Sequence, residues 1–322
     1  LAAFVGCFLF TFSLPLPNDR LAVFFTATAR ANLEPCGCPV NPSGGVSRRA
    51  AFIDAHAPTE IPVLLLDGAD VVGPPTPIGL VNSQFMFQAL EEMGYSVLGL
   101  GVRDFSFGVD FLLSMEKKHG LTFVGTNLLS SETRTHFFRP HAVMRVGQGR
   151  ILGIPFGGMR IGVISVIGKD TPPYAGDRGD SLLLLQPVEA ARHYSRQLRQ
   201  KCDLIVVLAY TNQTALDSLL SLPDVDMVIA TRTLTVPSGY QNVGMRKHAV
   251  LAYTGYEARR IGVVTVKLSP AGRILSAKGE LIVLGKNRPE DPGMNALISE
   301  AKRAVSALPD AGSQRQESHS RK

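Results

Sequence analysis

The chain has 322 residues, of which 45% are hydrophobic and 19% charged, with a formal net charge of +6. That balance excludes a disordered chain, and the length allows one large core or two modest ones. The basic excess is scattered, with no dense Lys/Arg blocks interleaved with aromatics; this speaks against nucleic-acid binding and suits an acidic protein partner or an anionic membrane surface.

Residues 1–17, LAAFVGCFLFTFSLPLP, carry no charge. The run is short for a membrane span, which needs about 20 apolar residues, and it matches the apolar region of an export signal. The phrase around Cys7 has the outline of a lipidation site, although Phe4 departs from that signal. Delivery only, or a retained segment docked at a membrane, both stay open. Either way the expectation is an exported, periplasmic and membrane-associated protein.

A strand over Leu21–Ala27 follows. The apolar pattern then stops, and Gly, Pro and polar residues run to Gly45. Ser47 is placed to cap a helix towards Ala55. Open α/β sheets put their ligand loops at the C-terminal ends of strands, so local function is expected between Thr26 and Arg49. Further on, strands at 62–67, 96–100 and 121–124 alternate with helices at 79–93 and 109–119, the second stopped by Gly120. Three β-rich pieces fall within 138–168. Helices at 187–201 and 213–222 flank strands at 203–208 and 225–230. Residues 248–284 read as continuous β. A last helix covers 291–308, with Met294, Leu297, Ile298, Ala301 and Val305 on one side. Helices between early strands, with antiparallel β later, define a layered α/β architecture.

Cys36 and Cys38 lie two apart in EPCGC, and Cys202 is distant. In an exported protein these thiols favour a disulfide. A Cys36–Cys38 bond is strained, so one of them with Cys202 is the preferred pair. A soft-metal site and a redox pair are the alternatives. The C-x-x-C-H pattern of haem attachment is absent.

Several loops together resemble the calcineurin-like metallophosphoesterases, and within them the N-terminal domain of the 5'-nucleotidase group. NLEPCGC followed by GGVSRRA is similar to the first motif and its helix in a bacterial exported branch. LLLDGADVVG (64–73), EEMGYSVLGLGVRDFSFG (91–108), GTNLL (from 125), CDLIVVLAY and VDMVIATRTL resemble the motifs that follow, in family order. The resemblance covers residues 21 to about 284. It implies a four-layer αββα sandwich of two mixed β-sheets with two metals at the strand ends. The domains implied are an export signal or anchor at 1–20, a metallophosphoesterase-like domain at 21–290, and a C-terminal helix with a polar tail at 291–322.

A binuclear site needs carboxylate, imidazole and amide ligands around metals about 3.5–4 Å apart. The positions where the family carries them read Thr28, Arg30, Val102, Arg103, Tyr210, Arg232 and Leu234 here. Asp70 keeps the bridging position, with Asp67 before it, and Asp104 survives in the third motif. Thr, Val and Leu are not credible ligands for a catalytic cation, and Arg does not give up its proton. The expectation is no metal, no cofactor and no catalytic residue. Arg30, Arg103 and Arg232 are expected to form an ion-pair cluster with Asp67, Asp70 and Asp104, or to bind an anion. No Trp and no evident aromatic pair serve as a base clamp. The function expected on this basis is a non-enzymatic, exported structural or binding subunit of a respiratory or photosynthetic electron-transfer complex. Its expected partner, a multihaem c-type cytochrome, rests on the resemblance alone. The competing expectation is a metal-dependent phosphoesterase of 5'-nucleotidase type with a reduced site.

Overall fold

The computed structural model describes residues 19–38, 40–147, 149–151, 154–170, 182–232, 241–269 and 272–309. The segment 1–17 with Cys7, the residue Leu234 and the tail from 310 lie outside the described residues.

In chain order the strands are β1 (Arg20–Thr26), β2 (Val63–Asp67), β3 (Val97–Gly99), β4 (Thr122–Val124), β5 (Leu128–Ser130), β6 (Ala142–Val146), β7 (Gly149–Ile151), β8 (Ile154–Phe156), β9 (Met159–Ile167), β10 (Leu182–Leu184), β11 (Leu204–Tyr210), β12 (Met227–Ala230), β13 (Val243–Arg246), β14 (Ala249–Tyr253), β15 (Arg260–Leu268) and β16 (Ile274–Val283). The helices are α1 (Val46–His56), α2 (Pro77–Glu92), α3 (Val109–His119), α4 (Pro187–Arg199), α5 (Gln213–Leu219) and α6 (Pro292–Ser306).

Two six-stranded sheets carry the fold, ordered β16-β15-β1-β2-β3-β4 and β13-β14-β12-β11-β9-β6. Both are mixed. The runs β1-β2-β3-β4 and β9-β11-β12-β14 are parallel, and antiparallel strands flank them. The central strands are buried on both faces, which is why β1 and β11 read as unbroken apolar runs. Leu21, Val23, Leu66, Val206 and Ile229 pack in the space between the sheets. Phe24, Met86, Phe87, Leu112 and Leu297 pack under the helices on the outer face of the first sheet. Leu198, Leu216, Val207 and Leu251 do the same for α4 and α5 on the second. The result is helices, sheet, sheet, helices: the four-layer sandwich that the sequence resemblance implied.

Local differences have physical causes. Helix α1 begins at Val46, one residue before Ser47, from a Gly45 cap at φ 88° that makes no side-chain bond. Ser47 instead donates its hydroxyl hydrogen to the carbonyl of Asp291, which caps α6. The β run over 248–284 is broken by a tight turn at Tyr256–Ala258. Helix α3 ends as expected on a left-handed Gly120.

The expected disulfide does not form: Cys36, Cys38 and Cys202 are free thiols. Cys202 is buried under α4 on the outer face of the second sheet. Cys36 lies in the loop after β1, in a cleft bordered by α2 and α6 beyond the first sheet. Both sheets separate them, far beyond the Cα reach of a disulfide.

Phe25 on β1 stands opposite Gly262 on β15. A Cβ at Gly262 would sit 2.0 Å from the Phe25 ring. The G262A variant is therefore expected to lose about 1–3 kcal/mol of stability through overpacking, read from a lowered urea midpoint at unchanged m-value. An unaltered midpoint would mean the ring is free to move aside.

Candidate functional site

The C-terminal ends of β1, β2 and β3 in one sheet, and of β9, β11 and β12 in the other, open on a common edge. The loop after β1 lies along the loop after β2. The amides of Thr28, Arg30 and Ala31 donate to the carbonyls of Ala69, Asp70 and Val71 at 2.7, 2.9 and 2.7 Å. This pairing holds Thr28, Arg30, Ala31 and Asp70 in the left-handed region, at φ 57, 52, 55 and 53°. Such conformations cost non-glycine residues about 1 kcal/mol or more each and persist only where the surroundings impose them. Thr28 is buried, and its hydroxyl bridges to the turn after β14, donating to Gly255 O and accepting from the Glu257 amide.

Asp104 ties the edge together. It lies in the short 3₁₀ turn Val102–Phe107, after β3. Its Oδ1 accepts from the amides of Val71 and Val72, and its Oδ2 from those of Asp70 and Gly101, at 2.7–3.1 Å. Burial and the charge of Asp70 nonetheless push its carboxyl up to about 7.

Asp70 is the acidic group at the centre. Its Oδ1 accepts from the Arg103 amide at 2.9 Å, and its Oδ2 accepts from the Tyr210 hydroxyl at 3.0 Å, across the gap between the sheets. Burial raises its pKa, while the Arg103 amide, Tyr210 and the charges of Arg30 and Arg103 pull it back. Burial and Asp70 push Tyr210 far up, so it stays a phenol and a donor. Val102 begins the same turn and is half-buried.

The arginines gather near Asp70 but do not bridge to it. Among the described residues no ion pair joins Arg30, Arg103 or Arg232 to Asp67, Asp70 or Asp104. Arg30 donates to the Tyr256 hydroxyl at 3.0 Å and lies over its ring at 4.9 Å. Arg232 pairs with Asp170 at 2.7 Å and holds that carboxyl below its ordinary range. The Arg103 side chain is exposed. The expected direct cluster is therefore replaced by arginines at the rim, each held elsewhere or solvated, acting on Asp70 and Tyr210 through space.

Asp67 belongs to a different network. It is fully buried, accepts from the Thr26 hydroxyl at 2.6 Å, and shares Thr26 with Tyr95. Burial raises its pKa, and the charge of Arg49 opposes this most. Arg49 sits on the inner face of α1, wholly buried. Sequence reasoning missed it. The signal was present, since Val46, Arg49, Phe52 and Ile53 recur at the helical spacing of one buried face. The asparagine of GTNLL, Asn127, is also buried and fully used, bonded to the backbone of Ile167 and Leu185.

The fold family implies two metal ions at these strand ends. The donors here do not fit that pair. Asp104 is committed to four amides and Asp67 to Thr26 within the core, which leaves Asp70 alone, and one carboxylate does not hold two ions. Among the described residues no group of three His, Cys, Asp or Glu side chains is placed to hold an ion.

The relatives and structural neighbours of this chain are calcineurin-like phosphoesterases of the 5'-nucleotidase type. The 5'-nucleotidase of Bos taurus is 22% identical over 282 residues, covering 80% of this chain and 46% of that protein, and the Naja atra venom 5'-nucleotidase is 23% identical over 292 residues, covering 80% and 51%. A 5'-nucleotidase precursor from Thermus thermophilus superposes with a TM-score of 0.72 at 22% identity, over 90% of this chain and 59% of that one. The calcineurin-like phosphoesterase YfkN of Bacillus subtilis gives 0.69 at 16% identity, over 90% of this chain and 99% of that one. No family model matches. The chain spans about half the length of the curated relatives it matches. These relatives overturn the expectation of a non-enzymatic electron-transfer subunit. The proteins that share this sequence pattern and fold are named as hydrolases, Haemophilus influenzae NAD nucleotidase among them, and the competing hydrolase expectation is the better one. Among the described residues no helix is long and apolar enough to cross a membrane.

An Asn at position 104 would turn a donor group towards two of the four amides. D104N is expected to cost about 1–3 kcal/mol for each amide left unpaired, measured by chemical denaturation at pH 8, where the wild-type carboxylate is ionised. A loss below a few tenths would show that these amides find other acceptors.

Proposed function

We propose that the chain is a phosphoester hydrolase of 5'-nucleotidase type that takes the phosphate of its substrate at the Asp70 edge. The observation that carries this reading is the meeting of one buried carboxylate with three rim arginines at the strand ends of a phosphoesterase fold. Guanidinium groups suit phosphate oxygens, with charge-assisted and often bidentate bonds. Arg103 is exposed and ready to receive the anion; Arg30 is presented from its perch on Tyr256. Hydrolysis needs a water oriented in line with the leaving oxygen and stabilisation of charge on the transferred group. Asp70, raised towards neutrality by burial, is placed to hold that water and accept its proton. Tyr210 fixes the carboxylate by its hydrogen bond. Arg232, anchored by Asp170, adds positive potential at the far sheet.

Phosphate release from AMP and p-nitrophenyl phosphate tests the reading, with EDTA and with added manganese. The expected result is release that persists in EDTA and falls about 100-fold in D70N, the scale of removing a positioned base. Because the activity needs the Asp70 carboxylate, its acid limb should lie above the ordinary carboxylate range. R103Q removes a charge that holds the Asp70 pKa down, so it should move that limb to higher pH and raise KM. Absence of release from every substrate in both conditions would refute the hydrolase reading.

A further inference from the structure

A cleft lies beside this edge. The loop from Asn32 to Gly37, the turn at Glu257–Arg259 and helix α6 at Ile298, Lys302 and Ser306 enclose a cleft of about 700 Å³. Cys36 lines it, half-buried, and Cys38 is exposed one residue beyond Gly37. The Cys36 sulfur accepts from the Ser43 amide at 3.3 Å and lies 3.7 Å from the Ser43 hydroxyl. Burial alone would raise the Cys36 thiol. The amides of Ser43 and Cys38, the Ser43 hydroxyl and the charge of Arg259 outweigh it and bring the thiol below its ordinary value. Arg259 is fixed for this role by an ion pair with Glu257 at 2.6 Å and by the Tyr256 ring at 5.4 Å. Cys202 is the contrast: burial pushes its thiol up. A reactive thiol needs a stabilised thiolate and access, and Cys36 has both. No neighbouring atom lies within 4 Å of where a side chain at Gly37 would stand, so nothing packs against the residue between the two sulfurs on that side. A disulfide across a single residue is strained, and strained disulfides are the labile, exchanging kind.

We propose that Cys36 and Cys38 form a thiol–disulfide exchange site for a small disulfide admitted to this cleft. The Cys36 thiolate forms a bond to one sulfur of the incoming disulfide, whose own S–S bond breaks. The other sulfur leaves with the electron pair as a thiolate. Cys38, its proton passed to solvent, then bonds to the Cys36 sulfur, and the first sulfur leaves as a second thiolate. The loop loses two electrons and the disulfide becomes two thiols, which take up protons from water. Run backwards, the same steps reduce the loop at the expense of a thiol pair.

Glutathione disulfide serves as the probe. Reduced wild type, C36S, C38S and R259Q are each mixed with it, quenched with acid at intervals, and read by mass spectrometry with peptide mapping. In C38S the mixed disulfide at Cys36 should accumulate. Wild type should pass through it to an internal Cys36–Cys38 bond. C36S should react at Cys38 about 10-fold more slowly, and R259Q should slow the first step about 3-fold, as loss of thiolate stabilisation requires. The proposal falls if Cys36 in C38S reacts no faster than Cys38 in C36S, or if wild type retains the mixed disulfide as long as C38S does. The comparison between wild type and C38S involves no change at Cys36, so it holds even where C36S misfolds. No readout depends on phosphate release, so this result stands apart from the hydrolase reading.

Discussion

One buried carboxylate organises the strand-end edge. Asp104 accepts four amides drawn from the loops after β2 and β3. Those loops cannot separate without leaving several amides unpaired in a dry interior, which is costly. The constraint passes outward. Fixing the amides of Asp70, Val71 and Val72 fixes the carbonyls to which Arg30 and Ala31 bond, and so sets where the Arg30 side chain begins. It also turns Asp70 towards Tyr210, which reaches from the other sheet. The geometry of the edge thus descends from a carboxylate spent on four backbone amides.

Much of the architecture was legible because it rests on periodicity. The apolar runs of β1 and β11, the Gly120 stop and the inner face of α6 follow from spacing alone. What escaped were features decided by partners distant in sequence. Ser47 has cap chemistry, yet it bonds to Asp291, 244 residues away. Spacing puts Arg49 on the buried face of α1, but that its charge acts on Asp67 shows only once α1 is laid on the sheet. The cysteine pairing failed for the same reason: thiol count says nothing about which side of two sheets each thiol occupies. At the edge itself, the motif order located Asp70, Arg103 and Tyr210, while residue type alone suggested direct ion pairs where the described arginines instead bond elsewhere or face solvent. The inference from altered ligand positions to a non-enzymatic subunit went further than residue types allow, and it gave way to the company this fold keeps.

Tyr256 links the two sites. Its ring meets both Arg30, which looks on to the Asp70 edge, and Arg259, which looks on to Cys36, at 4.9 and 5.4 Å. The two cations would repel at close range. The electron-rich face of an aromatic ring lets both approach, at about 0.5–1 kcal/mol each where exposed. The turn carrying Tyr256 is bound back to Thr28 through the Glu257 amide, which ties the loop after β1 to the turn after β14.

Six non-glycine residues of this region, Thr28, Arg30, Ala31, Asp70, Glu257 and Ala258, hold left-handed backbone angles. Glycine would relieve that strain at each of them. A laboratory screen that selected only for heat resistance would therefore gravitate to the positions whose side chains hold no buried bonds, Ala31 and Ala258 first. It would avoid Thr28 and Asp70, whose hydrogen bonds outweigh the strain. Every stabilised clone it returned would have traded away a fixed direction at the edge of the sheets. Tolerance of such glycines would be a mark of lost function, and their rejection under selection for function a way to map the site with no substrate in hand.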